Sequence, residues 1–193
     1  MSEVGIFASL KKMFGGKQIA PLPTTKAEDL YHQVLQASRS VTLFQDYHVQ
    51  DDIDGRFDAL CLVQSLVMRR LTGHSEALAD LSQGLFDAMF ADMDLTLREM
   101  GVGDMGVGKR VKFMSEAYMG RLKAYDEALK QKDSEALEDA LSRNLYRQKG
   151  SPSIIKALAN EVVAMVGRLE EIDDSVLEQA SLPTGCLQFG PSQ

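Results

Sequence analysis

The stretch LFDAMFADMDLTLREMGVGDMGVGKRVKFMSEAYMGRLKAYD, residues 85–126, decides the fold. Leu78, Leu81, Leu85, Met89, Met93, Leu97 and Met100 recur at intervals of three and four residues, the period of one helical face. Beyond the glycines, Val111, Met114, Tyr118, Leu122, Tyr125 and Leu129 resume the same period and predict a second helix over residues 107–130. Between the two, Gly101, Gly103 and Gly106 spell G-x-G-x-x-G, while Gly103, Gly108 and Lys109 spell G-x-x-x-x-G-K. Neither makes a nucleotide site. A dinucleotide fingerprint needs a strand ahead of its glycines to aim the next helix at the pyrophosphate, and a helix stands there instead. A phosphate loop needs Ser or Thr after its lysine to hold magnesium, and this chain has Arg110. The glycines are predicted to be a helix C-cap at Gly101 followed by a tight interhelical turn.

Composition frames this hairpin. A chain of 193 residues with 45% hydrophobic content suits one globular domain whose core needs no covalent staples. Cys61 falls in an apolar helical face and Cys186 in a polar C-terminal stretch, which suggests neither a disulfide framework nor a cysteine metal site. No apolar run approaches the roughly 20 residues of a membrane-crossing helix, and the N-terminus lacks the apolar core and cleavage site of a signal peptide. A cytoplasmic, reducing location is expected. The net charge of -7 argues against DNA and general nucleic-acid binding, while leaving room for a local basic patch.

Outward from the hairpin, nearly every periodic segment is helical. Residues 4–14 place Ile6, Phe7, Leu10, Met13 and Phe14 within one face, with Lys11 and Lys12 beside it, before Gly15-Gly16. That pattern suits either a membrane surface, with Phe7, Leu10, Lys11, Lys12 and Phe14 in contact, or packing on the protein's own body or a dimer neighbour. Residues 17–23 read as a linker. Thr25 and Glu28 form a capping box for a helix carrying Leu30, Tyr31, Val34 and Leu35 inward. After a short apolar stretch at residues 41–47 comes QDDIDGRFD, residues 50–58. It imitates a calcium loop, but alignment on Gly55 puts Gln50 at position one and Cys61 at position twelve, where acids are required. Nor does a second acidic cluster stand later to complete a prenyl-diphosphate magnesium site. A turn is predicted, with Asp54 capping a helix whose apolar face holds Phe57, Leu60, Val63 and Val67. Further helices are predicted from Asp133 or Ser134 to about residue 148, and from the Ser151-Pro152 cap to about residue 170, with one short turn capped by Asp173 or Asp174. No fixed-period repeat is present. The expected fold class is all-α: a single compact multi-helix bundle over residues 24–180, preceded by an amphipathic N-terminal helix and linker (1–23) and followed by a flexible C-terminal tail (181–193).

Catalytic chemistry is hard to find. His32, His48 and His74 are isolated, without the spacing of a di-iron bundle or a zinc protease, so no metal, cofactor or catalytic residue is assigned. Asp87, Asp92, Asp94 and Glu99 read as a solvated face. Ten methionines, among them Met89, Met93, Met100, Met105, Met114 and Met119, suggest core filler or an adaptable apolar groove. Lys109, Arg110 and Lys112 gather at a helix start, where the macrodipole disfavours positive charge and local stability does not ask for them. An anionic partner explains them; a solvated turn balanced by Asp104 and Glu116 is the plainer reading.

DGRFD (54–58), LFDAMFADMD (85–94), REMGVGD (98–104), VGKRVK (107–112) and Y-x6-AYDEAL (118–129) together resemble the ubiquinol-cytochrome c chaperone family, over residues 31–172. The resemblance implies a bacterial member of a family whose mitochondrial members assist assembly of the cytochrome bc1 complex without catalytic residues. It further implies newly made cytochrome b, or another bc1 subunit, as the client. A small second assembly factor and ribosome contact are carried over less directly, because bacterial translation and insertion are organised differently. On this reading Asp104, Lys109, Arg110 and Lys112 hold a polar loop of the client with Arg56 and Asp58 nearby. A groove containing Met and Phe shelters apolar segments, and the N-terminal helix keeps the factor at the inner face of the cytoplasmic membrane. Two other classes stay open. One is a helical enzyme or binding protein for an isoprenoid or quinone-like ligand, with its site at residues 51–58 or 87–94. The other is an adaptor that dimerises through its N-terminal helix.

Overall fold

A helix buried on all sides organises the molecule. The computed structural model describes residues 25–190. Within them lie α1 (Thr25–Ser38), α2 (Val41–Gln45), α3 (Ile53–Leu71), α4 (Glu76–Glu99), α5 (Asp104–Gln131), α6 (Ser134–Asn144), α7 (Pro152–Glu170) and the single turn α8 (Asp174–Leu177), with no strand among the described residues. α3 packs against α1, α4, α5 and α7. Every residue from Asp58 to Met68 is consequently buried. The one-sided face expected for this helix is corrected by that packing. Leu60, Val63 and Val67 do face the core, but so do Cys61, Leu62 and Leu66 on the other side, and Phe57 is only half-buried. A helix apolar all round has four neighbours to satisfy rather than one.

The ends of the helices follow local chemistry. Asp52, not Asp54, caps α3: its carboxylate accepts the Gly55 N–H at 2.7 Å, and Asp54 lies in the first turn, where the helix dipole favours negative charge. At the end of α4, Gly101 has φ +82, its N–H donates to Arg98 O at 2.9 Å, and Val102 N–H donates to Leu97 O at 3.0 Å. This is the paired closure that a left-handed glycine allows, as the sequence indicated. α5 starts at Asp104, three residues before the expected Val107, because Gly103 is extended and its carbonyl already accepts the Val107 N–H at 3.0 Å. α6 is capped by Asp133, which accepts from Ala136 N at 2.9 Å. It stops at Asn144, short of residue 148, because Arg147 and Gln148 turn left-handed at φ 50 and 62. Ser151 and Pro152 open α7 as their chemistry predicts.

The core runs from Leu30 and Val34 of α1 through α3 to Leu158, Val162 and Met165 of α7. Phe86, Phe90 and Tyr118 form its aromatic corner, with ring centroids 4.6 to 6.1 Å apart. The stretch expected to be a free tail from Ser181 is docked as far as Gly190. Cys186, Leu187 and Phe189 are buried, and Phe189 meets Tyr47 edge-on at 6.5 Å. Arg168 donates to Cys186 O at 3.3 Å and Gln188 O at 2.7 Å, and Gln33 accepts the Leu182 N–H at 3.1 Å. These contacts supply the apolar cover and backbone partners that composition did not reveal. The N-terminal amphipathic segment, with Phe7, Leu10, Lys11, Lys12 and Phe14, lies outside the described residues, as do 191–193. Among the described residues, no helix is long and apolar enough to cross a membrane.

Candidate functional site

Every residue of DGRFD has a structural partner. Asp54 accepts from Arg147 at 3.1 Å, and Arg56 pairs with Asp51 at 2.6 Å. Phe57 lies under the Arg121 guanidinium, 5.7 Å from its ring centre. Gly55 admits no side chain, since a Cβ there would stand 1.9 Å from the Gln50 carbonyl oxygen. Asp58 is 1% exposed, and its two oxygens accept from Arg121 at 2.7 Å and Arg147 at 3.0 Å. Burial pushes its carboxyl upward, while the two guanidiniums pull it back. The motif thus ties the start of α3 to α5 and to the left-handed loop after α6.

Asp58 therefore does not belong to a contact surface, which corrects its place among the expected client-binding residues. Both partners come from far along the chain, so no local pattern shows that this acid is satisfied inside. Arg56 is exposed.

The basic residues sit elsewhere. Lys109, Arg110 and Lys112 are all exposed on the first turns of α5. From Arg121, which marks the level of Asp58, they lie about 14–18 Å along the helix axis at 1.5 Å per residue. The structure accordingly separates them from Asp58. Around them the α4–α5 hairpin leaves the body. Met93, Val111 and Met114 pack at the edge of the core, whereas Leu97 and Val107 are buried but lie outside its continuous cluster. Asp104, exposed, pairs with Arg98, which also takes Asp94 at 2.5 Å. Lys112 approaches Glu116 only loosely, at 3.9 Å.

Helical spacing puts Met105, Lys109, Lys112 and Phe113 on the face of α5 opposite Val107, Val111 and Tyr118. Met105 is 84% and Phe113 72% exposed, and Leu95 and Met100 are more than half exposed. Large apolar side chains held in solvent beside cations, on a helix already anchored along its other face, make an amphiphilic contact surface. The expected methionine groove is narrower than its sequence count suggests. Met89 is buried, Met93, Met114 and Met119 are partly buried against the core, and Met100 and Met105 are exposed. Phe113 was not singled out by the sequence, although it falls off the Val107-Val111-Met114-Tyr118 stripe, and that displacement is the signal.

The carboxylates invoked for a ligand-binding alternative do not converge. Asp92 accepts the Tyr31 hydroxyl at 2.6 Å, which together with burial holds that phenol's pKa well above its usual range. Asp87 accepts from Gln83 at 2.9 Å, and Asp51 and Asp94 are held by arginines. An open cleft of about 990 Å³ lies by the C-terminal stretch, between Arg168, Asp173, Val176 and Phe189, away from these acids.

A model of the ubiquinol-cytochrome C chaperone family matches residues 45–184, which include DGRFD and the whole α4–α5 hairpin. Among solved structures, the Cbp3 homolog from Brucella abortus is similar at 32% identity, with a TM-score of 0.75, over 81% of this chain and 87% of that one. No curated protein matches significantly in sequence. A helical body matched over most of its length leads to one conclusion: the chain belongs to the ubiquinol-cytochrome c chaperone family.

Proposed function

We propose that this protein is a non-catalytic assembly chaperone that binds newly made cytochrome b and so assists assembly of cytochrome bc1, respiratory complex III. The family match over residues 45–184 is the observation that carries this reading. The hairpin end supplies suitable chemistry: Lys109, Arg110 and Lys112, with Asp104 beside them, hold a polar or acidic loop of the client, and Met105 and Phe113 cover an adjoining apolar segment. Arg56 is a separate, weaker contact on the body. Asp58 is left out because both its oxygens are engaged inside. A second assembly factor shares the client, and residues 1–23 hold the chaperone at the inner face of the cytoplasmic membrane.

Capture of cytochrome b tests this directly. The tagged protein, isolated from cells synthesising cytochrome b, is expected to retain it, and Lys109→Glu/Arg110→Glu to retain at least ten-fold less at equal chaperone level. Equal capture by the double variant removes the hairpin from the client contact. Absence of cytochrome b from the wild-type sample contradicts the client itself.

A further inference from the structure

A small pocket lies where the loop after α6 meets the start of α3, with a volume of about 240 Å³. His48, Gln50, Arg147 and Lys149 give it polar walls, and Leu145 and Ile154 give it apolar ones. No acidic residue lines it, although the chain carries 28 acids against 21 bases. Arg147 is already neutralised by Asp54 and Asp58. Lys149 has no ion-pair partner among the described residues, so the pocket retains an uncompensated positive charge.

The walls are held in place. A Cβ on Gly55 would strike the Gln50 carbonyl, and one on Gly150 would come within 2.7 Å of the Tyr146 ring. The Tyr146 hydroxyl donates to Tyr47 O at 2.8 Å, tying the two loops together. His48, Arg147 and Gln148 all take left-handed backbone, at φ 54, 50 and 62, a conformation that side-chain-bearing residues keep only where the surroundings fix it. The volume falls below the roughly 300–1,000 Å³ of sites enclosing drug-sized ligands, and suits a residue-sized guest.

We propose that this pocket, between the start of α3 and the loop after α6, binds an acidic side chain presented by a peptide segment of a partner protein. Lys149 meets the carboxylate, His48 and Gln50 offer hydrogen bonds to it, and Leu145 and Ile154 seat an apolar neighbour of the same segment. The site is separate from the hairpin and adds a second recognition point that does not depend on which client the hairpin holds.

The test is an NMR titration of the isotope-labelled full chain with the peptide Ac-Leu-Glu-Leu-NH2, its Gln counterpart, and glutarate. The Glu peptide is expected to shift the amides of Gly55, Lys149 and Gly150 saturably. The Gln peptide and glutarate should bind at least five-fold more weakly, and Lys149→Ala should weaken the Glu peptide about ten-fold with an unchanged melting temperature. Lys149 is exposed, so its removal leaves the Arg147 ion pairs intact. Equal binding of Glu and Gln peptides, insensitivity to Lys149→Ala, or no saturable shift overturns the carboxylate site. Glutarate binding as tightly as the peptide overturns the peptide partner.

Discussion

On one helix, α5, Arg121 is committed to a buried acid and a phenylalanine ring, while about three turns away Lys109, Arg110 and Lys112 stand in solvent with Met105 and Phe113. The body around α3 closes its charges inward: Asp58 holds Arg121 and Arg147, Asp126 takes Arg69 at 3.0 Å and Lys130 at 2.7 Å, and Arg70 reaches Asp174 at 2.6 Å. The hairpin end leaves cations and apolar side chains open side by side. The difference separates two uses of the same residue types. In the body, losing a charge leaves its partner unpaired; at the hairpin end, it removes something only a partner would feel.

Substitutions can break or sharpen that contrast. The largest effect is expected in the body: Asp58→Ala strands the Arg121 guanidinium, leaves Arg147 with Asp54 alone, and should lower unfolding free energy by about 3 kcal/mol in urea titration. Gly55→Ala comes next, because its Cβ must displace the Gln50 backbone, at a cost of about 2 kcal/mol. At the hairpin end, Lys109→Glu/Arg110→Glu and Phe113→Asp should each stay within about 0.5 kcal/mol of wild type in the same assay. A stability loss there as large as that of Asp58→Ala would erase the contrast.

Two further measurements probe the body alone. Burial pushes the phenols of Tyr31, Tyr118, Tyr125 and Tyr146 upward in the fold. Above about pH 10 the unfolded tyrosines release protons that the folded ones keep, so stability should fall as pH rises, by at most about 1.4 kcal/mol per pH unit for each tyrosine. Flat stability from pH 9 to 11 would contradict the packing of these rings. The smallest effect concerns the thiols. Cys61 is wholly buried with its thiol pushed upward, and should react with a thiol reagent only on unfolding. Cys186, in the docked C-terminal stretch, should react sooner, and faster still after Phe189→Ala.

Much of the scaffold was legible because its signals are local. Gly101 closes α4, Ser151-Pro152 opens α7 and Asp133 caps α6, each by chemistry within four residues. The basic residues of the hairpin stood out in the sequence because the helix dipole disfavours positive charge there, and the structure leaves them exposed. Asp58 was misread as a surface residue because its partners stand 63 and 89 positions away. The docked stretch after Ser181 escaped because Leu182, Leu187 and Phe189 follow no helical period; only tertiary contact with Gln33, Tyr47 and Arg168 gives them order.

The most direct test is the amount of assembled cytochrome bc1 in membranes of a deletion strain, complemented by wild type or by Lys109→Glu/Arg110→Glu at matched protein level. Loss of bc1 that wild type restores and the double variant does not is the predicted result. Unchanged bc1 in the deletion strain, or full rescue by the double variant, would contradict the assignment of the hairpin end to complex III assembly.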